Sequence, residues 1–353
     1  MDAFIQNLTE QIRLAHDNKK ALAIHGGKSK SFYGGPVVGE PLDLRPYTGI
    51  IDYEPKELVL TVRAGTPLAE IEAAMTRENQ MLPFEPPYFA EGATIGGTVA
   101  SGLSGPRRPY TGAVRDFVLG TRIVNGKGED LRFGGRVIKN VAGYDVSRLM
   151  TGAMGTLGVL LDLSFKVLPK PSDEITLSYE MDEATAIQRF NEWAGKPLPI
   201  SATSWHDGVA MLRLSGAIAG VKAAREKLGG EQVNSADAVN FWRDLRDHRA
   251  GFFQSAEPLW RLSVPSTSPP IALDLPQWME WGGALRWVRG ANDPKELRRK
   301  VEAIGGHVTL FRHGDKSAGV FHPVQPVLAK IHRNLKAAFD PANTLNPGRM
   351  DNF

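Results

Sequence analysis

A run of glycine and small residues between Glu91 and Gly105 could bring backbone amides close to a phosphate. The run reads EGATIGGTVASGLSG and has five glycines in fifteen residues. A pyrophosphate needs several N–H donors converging on its oxygens, and bulky side chains would hold the backbone away. The loop Gly26-Gly27-Lys28-Ser29 has the same character. Such glycines also form ordinary turns, but two of these loops in one region favour an anion site.

Neither loop matches the two common nucleotide-binding fingerprints. No G-x-G-x-x-G follows a strand and opens a helix, and the spaced glycines Gly152, Gly155 and Gly158 lead into a strand instead. The ending Gly27-Lys28-Ser29 is that of a P-loop, but the upstream glycine is missing at the required distance. The sequence therefore indicates a different architecture around the phosphate.

Short strands and helices must position these loops. The apolar stretch Ala21–Ile24 predicts a strand that ends at the first loop, and Leu157–Val167 predicts another strand. A helix is expected from Pro67 to about Asn79, with Thr66 placed to cap it.

A change in composition at Pro169-Lys170-Pro171-Ser172-Asp173 marks the main domain boundary. All seven tryptophans lie beyond this linker, whereas the glycine pairs of loop type lie mostly before it. Beyond the linker, predicted strands mix with predicted helices. This pattern predicts an α+β fold whose second domain rests on a largely antiparallel sheet.

Composition and charge exclude several function classes. The chain has 353 residues, 42% of them apolar, and a net charge of +3 with its basic residues dispersed, so we expect no nucleic-acid partner. It has no cysteine, so any cysteine-ligated iron–sulfur cluster must belong to another chain. No apolar run approaches the roughly 18 residues of a membrane span. We therefore expect a cytoplasmic protein without a transmembrane segment, one that reaches the inner membrane only through partners.

Several motifs resemble those of the vanillyl-alcohol-oxidase or PCMH-type FAD family. They are the first glycine pair and the four segments Thr94–Gly97, Lys139–Asp145, Gly155–Gly158 and Asn346–Gly348, in this order. Within that family the segments 102–120, 131–149 and 345–350 resemble the FAD-binding E subunits of bacterial glycolate oxidases. The resemblance implies a PCMH-type FAD-binding domain over residues 1–170 and a smaller α+β cap domain over 171–323. A C-terminal helix and tail over 324–353 would return to the flavin.

The resemblance also implies a set of cofactor-binding residues. These are Gly26, Gly27, Lys28, Ser29, Thr94, Ile95, Gly96, Gly97, Ser101, Gly102, Gly158, Val159, Asn346 and Gly348. The two glycine loops would grip the diphosphate mainly through their amides. Val159 would meet the adenine end, unless it is an ordinary core valine, and the tail would return to the flavin ring with Arg349 adding positive charge. Family members with a histidine-linked flavin often place that histidine directly after the glycine pair, where this chain has Lys28. We therefore expect non-covalent FAD.

The resemblance further implies a role in oxidising glycolate, a small 2-hydroxy acid, to glyoxylate. The expected partners are a larger FAD-containing catalytic subunit and an iron–sulfur subunit that receives the electrons. Two alternatives stay open: a stand-alone FAD-dependent oxidoreductase, and an architectural flavoprotein without its own catalytic site.

The residues themselves do not identify the catalytic groups. The histidines are dispersed, so we assign no catalytic base and predict no metal site. Arg107 and Arg108 would bind a phosphate or carboxylate, or lie in a solvated turn.

Overall fold

The computed structural model describes residues 1–135 and 144–350. The chain divides into two compact units. The first comprises Met1–Leu103, Ala113–Pro169 and the segment from Pro323 onward, and the second comprises Ser104–Gly112 and Lys170–His322. Most of the predicted motif Lys139–Asp145, up to Gly143, lies outside the described residues.

The helices of the described chain are α1 (Asp2–Asn18), α2 (Leu68–Arg77), α3 (Ile95–Ser101), α4 (Arg108–Thr111), α5 (Val114–Phe117), α6 (Val146–Leu149), α7 (Glu183–Ala194), α8 (Ile218–Leu228), α9 (Ser235–Arg246), α10 (Pro294–Glu302) and α11 (Pro326–Phe339). Short 3₁₀ turns occupy Gly251–Phe253, Trp281–Gly283 and Lys316–Ala318. None of the described helices is long and apolar enough to cross a membrane.

The strands of the described chain are β1 (Leu22–His25), β2 (Glu40–Asp43), β3 (Ile50–Glu54), β4 (Val59–Arg63), β5 (Gln80–Met81), β6 (Val118–Val124), β7 (Asp130–Gly134), β8 (Val159–Lys166), β9 (Leu168–Pro169), β10 (Asp173–Glu180), β11 (Ile200–His206), β12 (Val209–Gly216), β13 (Glu231–Gln232), β14 (Leu259–Ser263), β15 (Gln277–Glu280), β16 (Leu285–Arg289) and β17 (His307–Arg312).

The first unit is built around an antiparallel sheet of five described strands, in the order β3-β4-β8-β6-β7. Strand β8 lies at its centre and is buried along most of its length, because β4 and β6 flank it and apolar clusters pack on it. Helix α1 is amphipathic and buries Ile5, Leu8, Ile12 and Ala15, which recur every three or four residues. Two short strand pairs complete the unit: β1 with β2, parallel, and β5 with β9, antiparallel.

One local prediction in this unit is wrong. Thr66 does not cap α2, because Pro67 stands at the N-cap position and makes no side-chain cap. The Thr66 hydroxyl instead donates to the Arg63 carbonyl (2.6 Å) and accepts from the Gly49 amide (2.9 Å). It therefore fastens the turn before the helix.

The C-terminal tail is fastened to β1 within the first unit. The Leu22 amide donates to the Thr344 carbonyl (2.7 Å), and the Asn346 amide donates to the Leu22 carbonyl (3.0 Å). Ahead of the tail, Lys336 and Asp340 form a buried ion pair of 2.7 Å. The Lys336 ammonium also donates to the carbonyls of Thr156 and Leu345, at 2.8 and 3.0 Å. These contacts bring residues far apart in sequence to one place.

The second unit rests on an antiparallel sheet of eight described strands. Their order is β13-β10-β12-β11-β15-β16-β14-β17. Helices α7 and α8 pack on this sheet through Phe190, Trp193 and Val221. The predicted α+β class with a largely antiparallel sheet is confirmed.

The segment Ser104–Gly112 groups with the second unit, although the predicted domain 1–170 includes it. The reason is a set of contacts within that unit. Arg107 forms a 2.6 Å ion pair with Glu174, and the Trp281 indole donates to the Gly105 carbonyl (3.2 Å). The functional assignment of the three predicted segments stays a prediction.

Asp340→Asn should destabilise the fold, because it leaves the buried Lys336 ammonium without a counter-charge. Breaking a buried pair in this way costs about 3–5 kcal/mol in free energy of unfolding, which denaturant unfolding measures. Glu296→Gln, which removes an exposed pair with Arg299, is the control and should leave the unfolding midpoint unchanged. Equal midpoints for both variants would contradict this account of the C-terminal anchor.

Candidate functional site

A cavity of about 540 Å³ lies in the first unit. This volume falls within the roughly 300–1,000 Å³ typical of small-molecule and cofactor sites. Ten of the fourteen predicted residues line it: Gly26, Gly27, Lys28, Ser29, Thr94, Gly96, Gly97, Ser101, Gly158 and Asn346. The fold therefore brings both glycine loops, the start of β8 and the C-terminal tail to one place.

The other four predicted residues do not line the cavity. Ile95 and Val159 are fully buried in the apolar core. Gly102 ends α3 with a left-handed backbone (φ 65°) and packs closely on Gly152. Gly348 also has a left-handed backbone (φ 75°). A cofactor role for these four stays a prediction.

The first loop lines the cavity with four residues whose amides have no acceptor in the described part of the protein. Within residues 1–135 and 144–350, no acceptor meets the amides of Gly26, Gly27, Lys28 and Ser29. Lys28 has a left-handed backbone (φ 57°), which costs energy in a residue with a side chain. Successive amides around a left-handed residue form a concave anion-binding nest. The loop therefore has the donors that a phosphate requires.

The glycines of this loop are required by its contact with the second loop. A Cβ on Gly27 would lie 1.6 Å from the Gly92 carbonyl oxygen, and one on Gly26 would lie 2.5 Å from the Thr94 Oγ1. A side chain at Gly27 would therefore force the two backbones apart, and one at Gly26 would displace the Thr94 side chain. Close loop packing thus holds the four amides at the cavity wall.

In the second loop the amides of Ile95, Gly96 and Gly97 already have acceptors within the protein, which differs from the expected role as phosphate donors. The Ile95 amide donates to Thr66, the Gly96 amide donates to the Ala64 carbonyl (2.8 Å), and the Gly97 amide donates to Thr94 Oγ1 (3.2 Å). A Cβ on Gly96 would lie 2.7 Å from Ala64. The loop therefore offers a small, close surface instead of a set of amide donors.

Asn346 joins three parts of the cavity wall. Its side-chain carbonyl accepts from the Ile24 amide (2.7 Å), and its side-chain NH₂ donates to the Met154 carbonyl (2.7 Å). Both Met154 and Asn346 have left-handed backbones, with φ of 51° and 43°. Asn346 thus has a structural role, and its ligand role stays a prediction.

Arg349 lines the cavity and is buried. Its guanidinium donates to the carbonyls of Ser31 (3.1 Å), Gly35 (2.7 Å) and Lys30 (3.2 Å). Burial lowers the pKa of Arg349 to about 10, and Tyr33 opposes this shift. No carboxylate among the described residues pairs with Arg349. An anion in the cavity would offset the cost of this buried charge.

His25 also lines the cavity and was not among the predicted cofactor residues. Its Nδ1 lies 3.5 Å from Asp43 Oδ1, and Asp43 also pairs with Arg45 at 2.7 Å. The hydrogen bond from Arg45 is the largest of the effects that lower the pKa of Asp43.

The cavity is also lined by Lys30, Tyr33 and Met154, which the sequence did not predict as site residues. Only their nearness to a glycine motif could have indicated them.

The adjacent Arg107 and Arg108 are not a solvated turn. Arg107 is buried, and its ion pair with Glu174 is supported by the Ser215 hydroxyl, which donates to the same carboxylate (2.6 Å). The Arg108 guanidinium lies 4.4 Å from the centre of the Trp281 ring. Both side chains thus have structural partners within the second unit.

Comparison with known proteins relates this architecture to a family. Residues 5–134 match the FAD binding domain family. The chain is 49% identical to glycolate oxidase subunit GlcE of Escherichia coli (strain K12) over 347 residues, which cover 98% of this chain and 97% of that protein. The chain belongs to the glycolate oxidase subunit GlcE family. The FAD-binding domain spans residues 5–134, and the family inferred from the sequence motifs is confirmed.

More distant relatives share parts of the chain or its fold. Glycolate oxidase subunit GlcD of Bacillus subtilis (strain 168) is 33% identical over 152 residues, 42% of this chain and 32% of that subunit. A crystal structure of p-cresol methylhydroxylase with bound substrate aligns with a TM-score of 0.71 at 17% identity, over 98% of this chain and 87% of that one. The predicted PCMH-type fold is therefore confirmed for this member of the GlcE family.

Gly27→Ala should lower the FAD content of the purified protein, because the added Cβ pushes the first loop away from Gly92. We expect at least about a tenfold loss of FAD affinity, equal to about 1.4 kcal/mol, measured by flavin absorbance per protein and by titration with FAD. Gly220→Ala is the matched control, since a Cβ there meets nothing within 4 Å. Wild-type FAD affinity in Gly27→Ala would refute the role given to this contact.

Proposed function

We propose that this chain is the FAD-binding subunit of a complex that oxidises glycolate, a small 2-hydroxy acid, to glyoxylate. The observation that carries the proposal is the likeness to glycolate oxidase subunit GlcE across 98% of the chain. The electrons would pass to an iron–sulfur subunit, and a larger FAD-containing subunit would be the second partner. This chain has no cysteine, so cluster ligands must come from elsewhere.

The cavity fits the cofactor that the family implies. The four amides of residues 26–29 and the buried cation of Arg349 suit a dianionic diphosphate. FAD supplies an acceptor for the hydride that leaves a substrate carbon. In this proposal the first loop holds the diphosphate, while Asn346 and Arg349 hold the C-terminal tail against the wall of the cavity.

Two of the five histidines in the second unit are packed against aromatic rings. His248 is buried and its ring stacks on Phe253, with the ring centres 4.0 Å apart. Burial lowers the pKa of His248 well below its ordinary value, and Arg312 and Arg261 add to the shift. His206 stacks on Trp278 at 4.2 Å. Because these rings are engaged in packing, we place substrate oxidation on the larger flavin subunit.

Anaerobic addition of glycolate tests where the chemistry takes place. The isolated chain, loaded with FAD, should show no rapid bleaching of its flavin absorbance, and the complex with the larger subunit should bleach. Bleaching of the isolated chain at the rate of the complex would favour the stand-alone oxidoreductase instead. Should a complex assembled with flavin-free chain turn over glycolate at the full rate, FAD would serve the architecture alone.

We also propose that the FAD is bound without a covalent link. The residue after the glycine pair is Lys28, and His25 lies before the pair on the cavity wall. Acid precipitation should release the yellow chromophore into the supernatant, both in the wild type and in His25→Ala. If colour stays in the wild-type pellet and moves to the supernatant in His25→Ala, the flavin is linked to that histidine.

We also propose that any contact with a membrane is made by the partner subunits.

A further inference from the structure

The first two turns of helix α11 expose an apolar patch. Val327 is 71% exposed, Leu328 47% and Ile331 48%. Ile331 lies four residues after Val327 and three after Leu328, so both side chains are its neighbours on one side of the helix. Val327 is therefore mostly open to solvent, and Leu328 and Ile331 are about half exposed.

Helix α11 buries a charged side chain and exposes three of its large aliphatic side chains. The one buried side chain described in it is Lys336, held by Asp340 and two carbonyls, whereas Val327, Leu328 and Ile331 are exposed and Leu335 is partly buried. Its last residue, Phe339, packs on the core beside Phe133. Surface helices normally turn their apolar side to the core. The helix is thus fastened at its C-terminal end and presents its apolar side at the other.

The charge of α11 restricts what can cover the patch. Helix α11 contains no Asp or Glu, and its exposed Lys330 and Arg333 lie along one flank of the patch. A second copy of this chain, packed symmetrically on the same helix, would bring these cations against their own copies. A surface with carboxylates along one side of an apolar groove would match both features.

The length of the patch favours a protein groove over a membrane surface. Helices that lie in a membrane interface bury a whole apolar face and carry basic residues along a wide polar face. Here three side chains within two turns are exposed, and the following turns are anchored to the first unit by Lys336 and Phe339. A short amphipathic segment with aliphatic anchors fits helix-in-groove recognition.

We propose that the patch of Val327, Leu328 and Ile331, with Lys330 and Arg333 beside it, is the docking surface for the larger flavin subunit. This inference rests on the proposed function. The partner then presents an apolar groove with carboxylates on one side. The aliphatic side chains supply the affinity, and the cations set the orientation and speed of docking.

Binding of the larger flavin subunit from the same organism to the tagged full chain tests the proposal. Val327→Asp with Ile331→Asp should weaken binding at least about tenfold, with flavin content unchanged as the sign of an intact fold. Val239→Asp is the matched control, because Val239 is a 63% exposed aliphatic residue on helix α9. It should bind as the wild type does.

A second variant keeps the test decisive if the first one loses flavin. Lys330→Glu with Arg333→Glu leaves the apolar side chains in place, and should slow association and remove most of its dependence on salt. Wild-type kinetics in this variant, or wild-type affinity in the first, would overturn the docking surface while leaving the proposed function standing. Failure of the wild-type chain to bind the larger subunit would overturn both.

Two further measurements distinguish the larger flavin subunit from a membrane surface and from a second copy of this chain as the partner of the patch. Sedimentation with phosphatidylglycerol vesicles that the Asp variant abolishes, together with unchanged subunit binding, would overturn the proposal in favour of a membrane surface. A wild-type dimer that the same variant dissociates would overturn it in favour of a second copy. Monomeric wild-type chain that does not sediment supports the proposal.

Discussion

The close approach of two backbones, at Gly27 and at Gly92, is the constraint on which the candidate site depends. It leaves no room for a Cβ at Gly27 and holds the four amides of residues 26–29 along the cavity. The second loop is held in place by three of its amides, those of Ile95, Gly96 and Gly97, which donate to Thr66, Ala64 and Thr94. One loop is therefore the support, and the other is the donor surface.

Much of this arrangement could be predicted from residue types and motif order. The loop glycines, the strand before them and the α+β class are local or compositional features, and the sequence records them directly. Which amides stay unpaired depends instead on hydrogen bonds between segments far apart in the chain, such as Gly96 with Ala64. The same holds for Arg349, whose three carbonyl partners lie more than three hundred residues away. No local pattern contains that information.

The segment Ser104–Gly112 and helix α11 show the same limit. Arg107 looked available for a ligand because it stands in a short basic run, but a distant carboxylate, Glu174, already pairs with it. The periodicity of α11 predicts an amphipathic helix, and periodicity alone would turn its aliphatic side inward. In the structure Lys336 and Phe339 anchor the C-terminal end of the helix, while Val327, Leu328 and Ile331 at the other end stay exposed.

A structure of the flavin-loaded protein measures the central claim most directly. The FAD diphosphate oxygens should lie within about 2.7–3.2 Å of amide nitrogens in residues 26–29. The Gly96 and Gly97 amides should stay on Ala64 and Thr94. A diphosphate bound by the Gly96 and Gly97 amides, with the first loop turned away from it, would contradict the account.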